Sequence, residues 1–291
     1  MSKENRAGGA RLRWHTLPLK FPVQYPLFHD NLSAVKNVAP LTILYSDNHL
    51  LVIDKPAGIA TMGTDEGTPT IARQAALYVQ QTYHKPGKAF IGIVSRIDRL
   101  VSGVLVLART SKAASRLSEQ LRQQQWGKSY LAIVEGHWPV LGPTACATPQ
   151  LDSAAPSSAG NWLELVDYVA KDEAAQCMRV VDRIHHRGQL ARLRVRALAT
   201  VGQQSLLQVE LLTGRKHQIR LQLSQHGTPI WGDVKYGARR QAGDGIGLHC
   251  QQLTLIHPTL KDTRVFRASA GTHWRKAWGQ LPPQFSPWLD A

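Results

Sequence analysis

The stretch "RLRVRALA", Arg192 to Ala199, sets Arg192, Arg194 and Arg196 in alternation with Leu193, Val195 and Ala197. A period of two is the repeat of an extended strand, whose successive side chains point to opposite faces. The arginines therefore share one face of a sheet and the apolar residues the other. The basic row fits a solvated face and a face turned to a polyanion equally well. Working outward, Cys177–Ile184, Leu190–Ala199 and Ser205–Leu212 read as successive strands. Upstream, "LTILYSDNHLLVIDKPAGIATM" holds two apolar runs, Leu41–Tyr45 and Leu50–Asp54. They are joined by "SDNH", a hairpin signal, and the pattern breaks at "KPAG". "KSYLAIVEG" (128–136) predicts another strand. Helices are fewer. Ser111–Gln125 places Ala114, Leu117 and Leu121 on one face, with Ser111 able to cap it. "GRKHQIRLQLSQHG" (214–227) predicts a second helix, ended by Gly227, with Ile219, Leu221 and Leu223 helping to bury it. Strands dominate and βαβ alternation is scarce. The expected fold class is α+β, with a mixed, largely antiparallel sheet flanked by helices and loops.

At 291 residues the chain can bury a sizeable core. Its charge is distinctive: 35 Lys and Arg against 20 Asp and Glu give +15. Such an excess favours a polyanionic partner, because each neutralised phosphate releases counterions. Residues 1–39 are basic, contain prolines and lack periodicity, so they read as an extension ahead of a folded domain over 40–291. The first twenty residues have no apolar segment, which excludes a secretory signal and leaves an organellar transit peptide open. No apolar run approaches the ~18 residues of a membrane span, so no membrane association is expected, and a cytoplasmic location is the default. Cys146, Cys177 and Cys250 are far apart and form no CxxC pair, so no disulfide framework or zinc site is expected. His185, His186 and His226 lack acidic or cysteine neighbours at ligand spacing, and no metal is expected. "GDGIG" (243–247) does not match a dinucleotide-binding loop and reads as a mobile loop, as residues 141–161 read as a surface loop. No P-loop and no GxSxG elbow occurs.

Two clusters carry candidate chemistry. In "VSRIDRLVSGVLVLART" (94–110), Asp98 stands between Arg96 and Arg99, just ahead of the apolar run Val104–Ala108. A solvated charge, a structural ion pair and a catalytic acid are all open. At a core edge the carboxyl is partly desolvated, and cationic partners keep it ionised and competent as a nucleophile or base. In "LLTGRKHQIRLQLSQHGTPIWGDVKYG" (211–237), Thr213-Gly214 forms a strand-to-helix turn. Arg215, Lys216, His217 and Arg220 crowd the first turns of the helix, with His217 and Arg220 on one face. Cations at a helix N-terminus oppose its dipole, so an anion is wanted nearby: a phosphate, or a carboxylate such as Asp98.

"LLVIDKPAG" (50–58), "SRIDRLVSGVLVLART" (95–110), "KSYLAIVEG" and "LLTGRKHQIRLQLSQHGTPIWGDVKYG" resemble, in order, the motifs of the RluA-type family of RNA pseudouridine synthases. "LHCQQLTLIHP" (248–258) is similar to that family's closing strand. The resemblance implies the pseudouridine synthase catalytic fold over 40–291, with a catalytic cleft across the sheet. It implies that uridine in ribosomal RNA or tRNA is isomerised: N1–C1′ is broken, the base turns over, and C5 is joined to C1′. No cofactor is needed for this, and the expected state is a monomer. Asp98 falls on the essential aspartate. Tyr130 falls on the tyrosine thought to stack on the uracil and assist proton removal at C5, and Arg220 on the basic partner of the aspartate. Arg96 falls where some members insert an arginine in place of the flipped base; flipping is required because a stacked uridine hides its reacting atoms. Lys55, Arg99, Arg215, Lys216 and His217 are expected substrate contacts. The chain departs from the usual HRLD motif at Ser95 and Ile97, and residues 1–39 are too short for an S4-like module. The alternative, a non-catalytic RNA-binding or ribosome-assembly factor on the same fold, does not require Asp98, Tyr130 and Arg220 together.

Overall fold

The structure, a computed structural model, describes residues 40–63, 69–84, 86–138 and 162–290. The expected N-terminal extension, the 141–161 loop and Cys146 lie outside the described residues. The predicted hairpin forms as β1 (Thr42–Ser46) and β2 (Leu50–Lys55), paired antiparallel. Its turn is built by Asp47, whose carboxylate accepts the backbone N–H groups of His49 and Leu50, each at 2.7 Å. The next strands are β3 (Gly92–Ile93) and β4 (Ser102–Ala108), the latter buried along its whole length. They are followed by β5 (Gly127–Glu135), β6 (Leu163–Asp172), β7 (Cys177–Val181), β8 (Gln189–Val201) and β9 (Gln204–Leu211). β10 (Leu248–Ile256) and β11 (Thr263–Arg267) complete an 11-stranded sheet, ordered β1-β2-β4-β10-β5-β9-β8-β6-β7 with β11 on β10 and β3 on β4. Among the described strands every pairing is antiparallel except β4 with β10.

Strand β10 is therefore central, wedged between β4 and β5, where a closing strand was expected. Its close passage over β4 requires Gly103. A Cβ there would lie 2.3 Å from the Cys250 carbonyl oxygen, and the residue has φ +113, a conformation that glycine alone adopts without strain.

On β8 the alternation appears as read: Leu193 and Val195 are buried, Arg192 and Arg194 exposed. It ends at a bulge between Ala197 and Ala199. Five helices complete the described fold: α1 (Ile71–Thr82), α2 (Ser111–Arg122), α3 (Gln218–Gln225), α4 (Ala270–Trp278) and the short α5 (Ser286–Leu289). The cap of α2 is Thr110, one residue before the expected Ser111, because the Thr110 hydroxyl accepts the Ala113 N–H at 3.1 Å. Helix α3 starts at Gln218. Arg215, Lys216 and His217 form a turn ahead of it, not its first turns, because His217 takes a left-handed conformation with φ 53 that no helix interior accepts. The "GDGIG" segment is docked, not mobile: Ile246 is 2% exposed and its N–H reaches the Leu100 carbonyl at 3.0 Å.

Candidate active site

Asp98 lies in the loop between β3 and β4, and the residues around it are fixed through their backbones. The Thr61 hydroxyl donates to the Ile97 carbonyl at 2.8 Å and lies 3.3 Å from the Ile97 N–H. The Arg99 carbonyl accepts from the Gly58 N–H at 2.8 Å, and Leu100 accepts from Ile246. Asp98 itself closes a turn with the Val101 N–H. This explains the "KPAG" break: after β2 the chain doubles back to hold the Asp98 loop. Lys55, expected to contact substrate, is 0% exposed. Its ammonium donates to the carbonyls of Pro56 at 2.7 Å and Ile59 at 2.9 Å, and more weakly to Arg99. Burial pulls its pKa down to about 7, against the attraction of Asp98 and Asp54. In this structure Lys55 ties the loop together through these carbonyls.

Across the sheet, the turn after β9 is pinned to β8. The Leu212 and Thr213 N–H groups both reach the Arg192 carbonyl, and the Thr213 hydroxyl accepts the Arg192 N–H at 2.8 Å. Gln218, 3% exposed, closes this turn. Its amide oxygen accepts from the Thr213 hydroxyl and the Arg215 N–H, and its nitrogen donates to Arg192 and to Gln222. From this platform Arg220 and His217 meet Asp98. The guanidinium of Arg220, 3% exposed, is held by Asp233 through two bonds of 2.6 Å, from Nε and Nη2. Its remaining Nη1 donates to Asp98 Oδ2. His217 Nε2 lies 3.1 Å from the same oxygen, and its Nδ1 lies 2.8 Å from the Tyr236 hydroxyl. Tyr236 in turn accepts the Met178 N–H at 3.0 Å, which leaves its own proton for His217. The His217 ring thus bridges the Asp98 carboxylate and the Tyr236 hydroxyl.

The electrostatics follow from this arrangement. Burial alone would raise the Asp98 pKa, but the His217 hydrogen bond and the Arg220 charge outweigh it and hold the carboxyl well below the usual range. Arg220 answers two carboxylates with one charge, so the Asp98–Arg220–Asp233 group keeps a net negative charge. Both partners of Asp98 occupy Oδ2. Among the described residues none is bonded to Oδ1, and the Asp98 side chain is 25% exposed.

The other expected residues divide. Arg96, Arg99, Arg215 and Lys216 are exposed, and Arg215 also donates to the Leu190 carbonyl at 2.9 Å. Tyr130 stands on β5, between β4, which follows Asp98, and β8, which carries the turn of α3. It belongs to the same buried cluster as Ile97 and Ile219, the neighbours in sequence of Asp98 and Arg220. Burial, with a hydrogen bond to Cys250, raises the pKa of its phenol well above the ordinary value. The basic row of β8 is turned elsewhere. Arg192 pairs with Glu164 at 2.6 Å, and Arg196 bonds Gln208 and lies over Trp162. Val166, opposite Arg192, faces away from Asp167, which α3 engages through Gln222. The row therefore lies on the face of β8 away from α3.

Asp233 and Tyr236 were not singled out from sequence. Their signal was an acid and an aromatic bracketed by glycines in "GDVKYG", just downstream of a helix with excess positive charge. Among the described residues no group of His, Cys, Asp and Glu is arranged to hold a metal ion, and no helix is long and apolar enough to cross a membrane.

Comparison with known proteins identifies the family. The family model described as RNA pseudouridylate synthase matches residues 49–225. The chain is 31% identical over 253 residues to an RNA pseudouridine synthase of Mycoplasma pneumoniae, covering 86% of this chain and 70% of that one. It is 30% identical over 242 residues to the ribosomal large subunit pseudouridine synthase C of Vibrio cholerae, covering 81% and 67%. It is 31% identical over 254 residues to the ribosomal large subunit pseudouridine synthase D of Zymomonas mobilis, covering 82% and 71%. Among solved structures, human RNA pseudouridylate synthase domain containing 4 superposes with TM-score 0.58 at 24% identity, over 84% of this chain and 90% of that one. Human RNA pseudouridylate synthase domain containing 1 does so with TM-score 0.59 at 20% identity, over 90% and 92%. The class is that of RNA-modifying isomerases built on one mixed sheet. The chain belongs to the RNA pseudouridylate synthase family, in its RluA-type branch.

Proposed function

We propose that the protein converts uridine to pseudouridine in ribosomal RNA of the large subunit, with the ionised carboxylate of Asp98 as the catalytic group and no cofactor. The observation that carries this reading is the partly exposed carboxylate of Asp98, kept ionised through Oδ2, with Oδ1 bonded to none of the described residues. A carboxylate whose pKa is lowered by its partners is a weaker proton acceptor than a free one. Its strength is its negative charge, which suits attack on C1′, or stabilisation of the positive charge that develops there as N1–C1′ breaks. Proton removal from the sugar is the less suitable task. Tyr130, its phenol held protonated by burial, serves as a stacking surface for the uracil and is poorly suited to accept the C5 proton. Arg96, exposed two residues from Asp98, fills the space left by the flipped base, and Arg99, Arg215 and Lys216 take flanking phosphates. Support for the RNA comes from the relatives named as large-subunit enzymes.

The test incubates the purified protein with large-subunit ribosomal RNA and, separately, tRNA, each from cells lacking the gene. Pseudouridines are then mapped by chemical labelling and primer extension. New stops in the ribosomal RNA are expected. Stops in tRNA alone would reassign the substrate, and stops in neither would end the proposal.

A further inference from the structure

The hairpin tip between β7 and β8, residues 182–188, has no part in the site described above, yet it leads directly away from it. Met178, on β7, donates to the Tyr236 hydroxyl that holds His217. Six residues further on, within about 20 Å by chain reach, Ile184 is 95% exposed. The tip is internally ordered. The His185 N–H reaches the Asp182 carbonyl at 2.9 Å, and the Gly188 N–H reaches the His185 carbonyl at 2.8 Å. The Arg187 N–H donates to His185 Nδ1 at 3.2 Å, and the rings of His185 and His186 stack with centroids 4.8 Å apart. The segment 179–188 carries Arg179, Arg183 and Arg187 and a single acid, Asp182; Arg179 lies 3.8 Å from Asp172 on the neighbouring strand. Arg179, Val180, Val181, Asp182 and His185 line a shallow cleft of about 280 Å³ at the base of the tip.

We infer that this tip is a second RNA contact, which grips unpaired nucleotides beside the target uridine. A fully exposed isoleucine costs solvation and contributes nothing to the fold. Set between arginines and beside a stacked imidazole pair, it matches the chemistry of a strand with splayed bases. Such bases stack on flat or apolar side chains, while guanidinium groups take the phosphates. An apolar protein partner would not call for that density of positive charge. The inference rests on the RNA-modifying reading.

The experiment measures fluorescence anisotropy of a labelled RNA hairpin with an unpaired uridine loop, and of a blunt RNA duplex of the same length. Ile184→Ser and His186→Ala should each weaken hairpin binding by about tenfold and leave duplex binding unchanged. Arg183→Gln combined with Arg187→Gln should reduce the slope of log K against log salt by about 1.4. Circular dichroism should show no loss of folding, since these side chains are exposed. Hairpin binding equal to wild type in both Ile184→Ser and His186→Ala overturns the inference, including in favour of a protein partner. Because anisotropy needs no turnover, a wild-type protein that forms no pseudouridine would sink the proposed function separately.

Discussion

Asp98 receives both of its partners on one oxygen, and the chemistry of the site follows from that asymmetry. Arg220 is the decisive residue, because it spends two of its donors on Asp233 and one on Asp98. Replacing it by methionine strands two carboxylates, one of them fully buried, which should cost about 3–5 kcal/mol of stability, read as a lower urea midpoint. The same change removes the charge that lowers the Asp98 pKa. In the wild type, Asp98 is ionised at every pH above its lowered pKa, so turnover should show no acid limb from it above about pH 4. In Arg220→Met, burial is opposed without the guanidinium charge, so an acid limb should appear at higher pH, and an unshifted profile would contradict the pairing. The stabilisation that Asp98 gains is present above the unfolded carboxyl pKa of about 3.9 and is lost as pH falls through the lowered folded value. Tyr236→Phe leaves the Met178 N–H and His217 Nδ1 without their partner. It should cost about 1–3 kcal/mol and lower kcat while leaving RNA affinity unchanged. Equal losses in both would place Tyr236 among the RNA contacts.

At the scale of elements, the site depends on how closely β10 passes β4. Gly103→Ala sets a methyl against the Cys250 carbonyl and forces a left-handed conformation on alanine. A loss of more than about 3 kcal/mol is expected, measured by denaturant titration; near-neutral stability would show that the two strands can separate freely. Elements of this kind differ in how far sequence betrays them. The alternation of β8 and the β1–β2 hairpin were legible because their periodicity is local. The central place of β10 was not, because pairing partners far apart in sequence leave no periodic mark. Helix α3 was legible from its apolar residues but its start was not: His217 leaves the helical region for contacts with Asp98 and Tyr236, and only the folded chain supplies them. The cation-rich turn did signal that an anion was needed, and Asp98 met that need. The burial of Lys55 left no such mark, since nothing local in the sequence shows that its ammonium is enclosed by the carbonyls of Pro56 and Ile59.

The molecule as a whole gathers its site from segments spread between Lys55 and Tyr236, joined across one sheet, so its integrity and its activity should be lost together. His249 gives a handle on the former. It is buried on β10, with Nδ1 2.8 Å from the Ser102 hydroxyl and Nε2 3.0 Å from the Ala268 carbonyl. Burial lowers its pKa to about 4. The unfolded chain binds a proton there below about pH 6.5 while the folded chain does not. Stability should therefore fall by roughly 3 kcal/mol as pH drops from about 6.5 to 4. His249→Gln should remove that part of the dependence in urea titrations at matched pH. The net charge of +15 implies that RNA binding weakens steeply with salt. The central claim is that the Asp98 carboxylate performs the isomerisation, and joining C5 to C1′ must expel the hydrogen on C5. The most direct measurement is tritium release from large-subunit ribosomal RNA labelled at uracil C5, with wild type compared with Asp98→Asn. Wild type should release tritium, and Asp98→Asn should release none while binding the RNA as tightly. Release by Asp98→Asn at the wild-type rate would contradict the account.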